Sequence, residues 1–167
     1  MEVAKRKPSA AKTVRRRPSA IKSPLVVAAA LLAYLGPGWG TKALAVMKSD
    51  PRVAEAVRGV ELSLLIHVTQ APPERYHWLY ARFDGKGLAE GHMGHDGDGK
   101  LEKLPKATLG IEAPYEVFAA IQRGELSERK ALLSGRLHVK GPRLLAMRHM
   151  GALETVTEVL GEIPCQT

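Results

Sequence analysis

Cysteine is nearly absent. Cys165 is the single thiol in 167 residues, which excludes a disulfide framework and a cysteine-rich zinc module. Aromatics make up only 5% of the chain, and none interleave with its basic cluster, so the usual stacking platform of a nucleic-acid module is missing. No apolar run is long enough to span a membrane. The longest, Leu25–Leu35, has 11 residues and would rise about 16 Å as a helix against a bilayer core of about 30 Å. Catalytic signatures are lacking too. There is no G-x-S-x-G elbow, no H-E-x-x-H, no Walker loop and no G-x-G-x-x-G opening a helix, and carboxylates are not paired in any one segment. No catalytic residue, no metal site and no cofactor is expected, and the chain does not read as an enzyme.

What is present begins with charge, and its location matters more than its sum. The net charge is +8, yet residues 1–23 carry eight basic side chains against Glu2 alone, a balance of +7. Residues 24–167 hold 17 basic and 16 acidic groups, a balance of +1. The tail repeats itself: AKRKPSAAK at Ala4–Lys12 is echoed by VRRRPSAIK at Val14–Lys22. Short basic repeats punctuated by Pro8 and Pro18 cannot bury apolar surface, so residues 1–23 are expected to be a disordered arm. Its plain role is a solvated tail; the partner it would otherwise take is an anionic membrane surface, and nucleic acid is not expected. Leu25–Leu35 is apolar on every face and ends at Gly36-Pro37-Gly38; it is expected to form an extra helix packed on the body within a 24–39 helix-and-linker segment, with interfacial membrane contact the second reading. A secretory or twin-arginine leader fits least, because the basic region is long and Ala43-Leu44-Ala45 lies too far beyond the apolar run. The expected compartment is cytoplasmic, with peripheral membrane contact.

From residue 40 the patterning becomes that of a folded body. Thr41–Lys48 reads as a short helix. Asp50-Pro51 supplies an N-cap and N1 proline for a second, which Gly59 ends. Glu61–Val68 alternates, with Leu62, Leu64, Ile66 and Val68 on one side. Tyr76–Phe83 is a second strand, Asp84-Gly85-Lys86-Gly87 a hairpin turn, Leu88–Gly94 a third strand and Ala107–Ile111 a fourth, together an antiparallel meander. Helices follow at Tyr115–Gln122 and, capped by Ser127, at Glu128–Leu133. Arg136–Lys140 alternates as a fifth strand with Leu137 and Val139 inward. A last helix runs from Gly141-Pro142 to about Leu160. Strands bracketed by helices make an α+β single sheet with one face covered.

Two segments invite a chemical reading. Gly91–Lys100, GHMGHDGDGK, offers His92, His95, Asp96 and Asp98 at short range. A calcium loop fails for want of the required glycine and distal glutamate, and on a strand His92 and His95 would point to opposite faces, so a flexible turn is the reading kept. Cys165 is expected to be a free, exposed thiol at a fraying end. The aromatics Tyr76, Trp78, Tyr80 and Phe83 gather on one strand, Tyr115 and Phe118 on one helix, and Met93, Met147 and Met150 add polarizable bulk. These residues suit either an ordinary core or an apolar ligand cavity.

The segment Ala107–Leu153 shifts the balance toward the cavity. Thr108, the helix Tyr115–Gln122, Gly124-Glu125-Leu126, Lys130-Ala131, Gly135–Gly141 and the amphipathic Leu144–Leu153 stand in the order of the sterol carrier protein 2 (SCP-2-like) domain, which this sequence resembles over about residues 40–160. Pro142 departs from the pattern at a position where an acid or amide is common. The resemblance implies a five-stranded mixed or antiparallel sheet with helices on one face, enclosing an apolar tunnel. It implies non-catalytic binding and intracellular transfer of a lipid: a sterol, fatty acid, acyl-CoA or isoprenoid-type ligand. The domain itself is placed at 40–163, with 164–167 a short tail. Pro164-Cys165-Gln166-Thr167 is not a Ser-Lys-Leu-type address, so a peroxisomal role is not carried over. The expected lining is Leu79, Phe83, Met93, Leu109, Tyr115, Phe118, Leu133, Met147 and Met150. His67, His77, His138 and His149 are read as surface or satisfied core residues. Two further readings stand beside this one: a polyanion-docking protein acting through residues 1–23, and an accessory subunit of a lipid- or quinone-modifying complex.

Overall fold

A computed structural model describes residues 32–167. The arm expected at 1–23 and most of the apolar run Leu25–Leu35 lie outside the described residues. The part of that run inside them is not helical. Leu32–Ala33 form β1, paired in parallel with β7, Cys165–Gln166. Leu35 takes φ +58°, uncommon for a side chain other than glycine. Its carbonyl accepts from Tyr76 N–H at 2.7 Å, and Gly36 N–H donates to Ala33 C=O at 2.8 Å. Those bonds turn the chain ahead of Pro37, whose fixed φ then opens α1, Pro37–Ser49.

Helix α2, Pro51–Ala56, follows at once, its start fixed by the Asp50 carboxylate accepting from Arg52 N–H at 2.8 Å. Gly40 lets α1 approach the sheet, for a Cβ there would come within 2.7 Å of Met93 Sδ and of the Tyr76 ring. Strands β2 (Glu61–Thr69), β3 (Trp78–Asp84) and β4 (Leu88–Gly94) form the expected antiparallel run. Gly85, at φ +82°, makes the hairpin between β3 and β4 possible.

The fourth large strand overturns the meander. β5 (Leu109–Pro114) lies beside β2 and parallel to it, with Leu64 opposite Leu109, and β6 (His138–Lys140) closes the far edge, giving the order β4-β3-β2-β5-β6. Because β4 and β5 point the same way, residues 95–108 must run back along the whole sheet. They do so over the face the helices leave free. The loop starts where His95 C=O accepts from the Trp78 indole at 3.2 Å and ends where Thr108 N–H donates to Ser63 Oγ at 2.9 Å. This loop explains why Trp78 is buried on the face away from the helices.

Helices α3 (Tyr115–Gln122) and α4 (Glu128–Leu133) match expectation to the residue, and Ser127 Oγ caps α4 by accepting from Lys130 N–H. Beyond Pro142 the expected single helix is two: α5, Arg143–Arg148, and α6, Met150–Gly161. His149, at φ −101° and ψ 10°, breaks the helical path between them. Apolar spacing continues across that break, so periodicity alone could not reveal it. Gly141 is required by proximity as well as by its φ of +113°: a Cβ there would lie 2.7 Å from Thr108 C=O.

The core lies between the sheet and the helices. Leu62, Leu64, Leu79, Ala81, Phe83 and Leu109 meet Met47, Val53, Ala146, Val156 and Val159 in one cluster. Tyr34, Trp39, Ala43, Val68, Tyr115 and Ala119 form a second, and Ala113, Leu126, Ala131 and Leu137 a third. The C-terminus is tied down rather than frayed. Tyr34 N–H donates to Gln166 C=O at 2.8 Å, and half-buried Cys165 packs on the second cluster. Burial raises its thiol pKa, the reverse of what a reactive cysteine needs.

Candidate functional site

An apolar cavity of about 130 Å³ lies between the sheet and the helices. An engineered apolar cavity of about 150 Å³ takes a benzene molecule, so this space suits a ring or a stretch of chain. The alternation of strands aims Leu64, Ile66 and Val68 of β2 and Leu79, Ala81 and Phe83 of β3 at it. Met93, Ile111 and Val139 come from β4, β5 and β6. Opposite them stand Trp39 and Met47 of α1, Phe118 and Ile121 of α3, Leu132 of α4, Ala146 of α5 and Met150, Leu153, Val156 and Leu160 of α6.

Of the nine residues expected to line a tunnel, five reach this wall: Leu79, Phe83, Met93, Phe118 and Met150. Leu109 is wholly buried in the first core cluster beneath it. Tyr115 packs in the second cluster, its ring centroid 5.9 Å from that of Tyr34. Leu133 and Met147 point outward, 81% and 66% exposed. On α4 the buried position is Ala131, and two residues further round a helix is about 200°, so Leu133 faces the opposite way. On α5 the inward residue is Ala146, which turns its neighbour Met147 out.

Trp39 and Met47 fall outside the expected lining, because an apolar helix ending before Gly36 leaves Trp39 in a linker. Trp39, Ala43 and Met47 recur every four residues and are all buried, a pattern that marks a helix beginning at Pro37. Trp39 also carries a polar atom into this layer. Its indole Nε1 is buried with no hydrogen-bond partner among the described residues.

A second polar group stands at the helix end of the cavity. Gln122, Glu128 and Thr157 are on its lining there, from α3, α4 and α6. Gln122 Nε2 donates to Leu160 C=O at 3.2 Å, and Thr157 Oγ1 to Leu153 C=O at 3.0 Å. Glu128 sits half-buried. Loss of hydration raises its pKa, helped by the neighbouring carboxylates Glu154 and Glu158.

The residues weighed as a metal patch serve the turn after β4. Asp98 accepts from His95 N–H and Lys100 N–H, each at 2.9 Å, and His92 Nε2 lies 2.9 Å from Glu90 Oε1. On the same face His67 bridges Glu112 at 3.1 Å and Asp96 at 3.2 Å, and Lys140 Nζ donates to Glu112 at 2.8 Å. Lys140 and then His67 hold the Glu112 carboxyl below its usual pKa. Among the described residues no cluster of three or more His, Cys, Asp or Glu side chains could hold a metal ion.

Two residues from the motif segment have clear structural work. Ala131 is fully buried, and its carbonyl accepts both Arg136 N–H at 2.8 Å and Leu137 N–H at 3.1 Å. Leu126 fills the third cluster beside it.

Comparison with solved structures gives the same architecture. A crystal structure of sterol carrier protein 2 superposes with TM-score 0.63 at 18% identity, over 75% of this chain and 95% of that one. A solution structure of a conserved hypothetical protein from Thermus thermophilus gives 0.64 at 16% identity, over 79% of this chain and 90% of that one. No curated protein matches the sequence. The profile of the SCP-2 sterol transfer family matches residues 42–154, which takes in every strand of the main sheet and the start of α6, and the chain belongs to that family.

Proposed function

We propose that the protein binds a lipid in the cavity between sheet and helices and carries it, without covalent chemistry. Membership in a sterol transfer family supports lipid binding and transfer in general. The observation that carries the reading for this chain is the cavity itself: about 130 Å³ of space walled by aliphatic, aromatic and methionine side chains, inside a small domain that could otherwise have closed it. A lipid chain gains about 0.8 kcal/mol for each CH₂ taken out of water, so such a wall binds without a dense polar constellation. Met47, Met93 and Met150 are unbranched and adaptable, which suits a ligand longer than the space enclosed at rest.

One polar feature narrows the ligand. The Glu128 carboxyl stands at the helix end of the cavity. A hydroxyl group on a sterol, isoprenoid or acyl body can donate to it. A free carboxylate directed at Glu128 would be repelled.

The test is titration of delipidated protein with a fluorescent fatty acid, followed by displacement with unlabelled sterol, fatty acid, acyl-CoA and isoprenoid alcohol. Saturable one-to-one binding, displaced by at least one class, is expected. Absence of saturable binding to every apolar ligand would overturn the proposal.

A further inference from the structure

Among the described residues the large apolar side chains exposed on the surface are Leu133, Leu144 and Met147, at 81%, 83% and 66%. They stand on α4 and α5. Each helix also lines the cavity: Leu132 is the neighbour of Leu133, and Ala146 the neighbour of Met147. Exposed bulk on two helices that both line the cavity is not accounted for by folding, since burying it would have been cheaper.

The charge around them has one sign. From Arg129 to Met150 the sequence holds Arg129, Lys130, Arg136, Lys140, Arg143 and Arg148 and no acidic residue. All six are exposed. Arg129 pairs with Glu154 and Lys140 with Glu112, while among the described residues Lys130, Arg136, Arg143 and Arg148 make no ion pair. The folded body is nearly neutral as a whole, so this face is a local concentration of positive charge rather than a share of a general excess. Exposed leucine and methionine on a stretch whose exposed charge is all lysine and arginine match an interface that is apolar inside and anionic at its surface.

We propose that α4 and α5 dock the protein on an anionic membrane, with Leu133, Leu144 and Met147 entering the acyl boundary and the basic residues of 129–148 meeting the headgroups. Docking in this orientation sets the Leu132 and Ala146 wall of the cavity against the bilayer. The proposal gives the lipid-carrying reading a route for its ligand but is tested apart from it.

The experiment is co-sedimentation of the full chain with vesicles of phosphatidylcholine containing 30% phosphatidylglycerol, and with pure phosphatidylcholine. Wild type should bind the anionic vesicles, and L133S/L144S/M147S together should weaken binding at least tenfold. K130E/R143E/R148E should do the same. Because all six positions are exposed, the melting temperature and the titration with a fluorescent fatty acid should be unchanged in both variants. A third variant, R15Q/R16Q/R17Q, reports the contribution of the basic arm. Binding that survives both α4–α5 variants but is lost in the arm variant would overturn the proposal, as would failure of wild type to bind. A self-association that the serine variant abolishes, without vesicle binding by wild type, would assign the face to a second copy and overturn it too. Loss of fatty-acid binding with intact vesicle binding would count against the lipid-carrying reading and leave the docking face supported.

Discussion

Ala146 is the position at which cavity and core can be separated. It is 3% exposed, belongs to the first core cluster and lies on the cavity wall. At about 24 cal/mol per Å³, a space of about 130 Å³ represents about 3 kcal/mol of packing left unmade. Ala146→Leu adds three carbons, for which full burial contributes at most about 2.4 kcal/mol. Rotamer loss and small clashes reduce this to about 1–2 kcal/mol, or a rise in Tm of about 3–6 °C for a domain of this size. The same carbons occupy room for two or three CH₂ groups of ligand, worth about 2 kcal/mol, so affinity for a long-chain probe should fall about 30-fold. Stability and binding should therefore move in opposite directions. The assay is thermal unfolding of delipidated protein, since bound lipid would itself raise Tm, paired with titration of a fluorescent fatty acid. A fall in Tm of about 5 °C or more with unchanged affinity would refute the reasoning, because it would mean that Ala146 faces closed packing and the ligand goes elsewhere.

Other substitutions probe the frame and its polar groups. A Cβ on Gly94 would run into the Trp78 ring and the Asp98 carboxylate, so Gly94→Ala should cost about 1–3 kcal/mol in denaturant unfolding. Glu128→Gln should raise Tm at pH 7–8. Burial lifts the pKa of this acid above its unfolded value, so its charged form opposes folding, and the advantage of the variant should shrink as the pH falls into the carboxylate range. The same variant should bind fatty acid more tightly at pH 7.5 if the headgroup lies at the helix end. Glu112→Gln should act with the opposite sign. Its folded pKa is lowered by Lys140 and His67, so its stabilisation is present above the usual carboxylate pKa and disappears as the pH falls through the lowered one. The Tm difference from wild type should therefore be full at pH 7 and shrink as the pH falls below the usual carboxylate range.

Much of the frame is legible directly from residues. Ser127 before Glu128 and the glycines at 124 and 135, both at positive φ, bound α3 and α4 because capping and left-handed turns are local chemistry. The alternation of Glu61–Val68 sets which side of β2 is buried. Pairing direction is not legible in the same way. Ala107–Ile111 has the pattern of any short strand, and only the long return of residues 95–108 over the free face makes β5 parallel to β2. The break at His149 is hidden because its neighbours keep helical spacing on both sides. For the cavity, periodicity reports the inward side of an element but not depth along it. Leu79, Phe83 and Leu109 all face inward, yet Leu109 is sealed in the core while the other two meet open space. Hydrophobicity alone would place Leu133 and Met147 inside, against the helical phase that Ala131 and Ala146 define. Trp39 is legible in principle, through its four-residue spacing with Ala43 and Met47.

The account stands most directly on whether an apolar molecule occupies the cavity. Native mass spectrometry of the full chain, purified from its own host without detergent, measures this in one step. The expected spectrum shows the protein with one non-covalent adduct in the mass range of a sterol, fatty acyl or isoprenoid lipid, lost on gentle activation and reduced in Ala146→Leu. A spectrum of bare protein alone, which stays bare after incubation with each of those lipid classes, would contradict it.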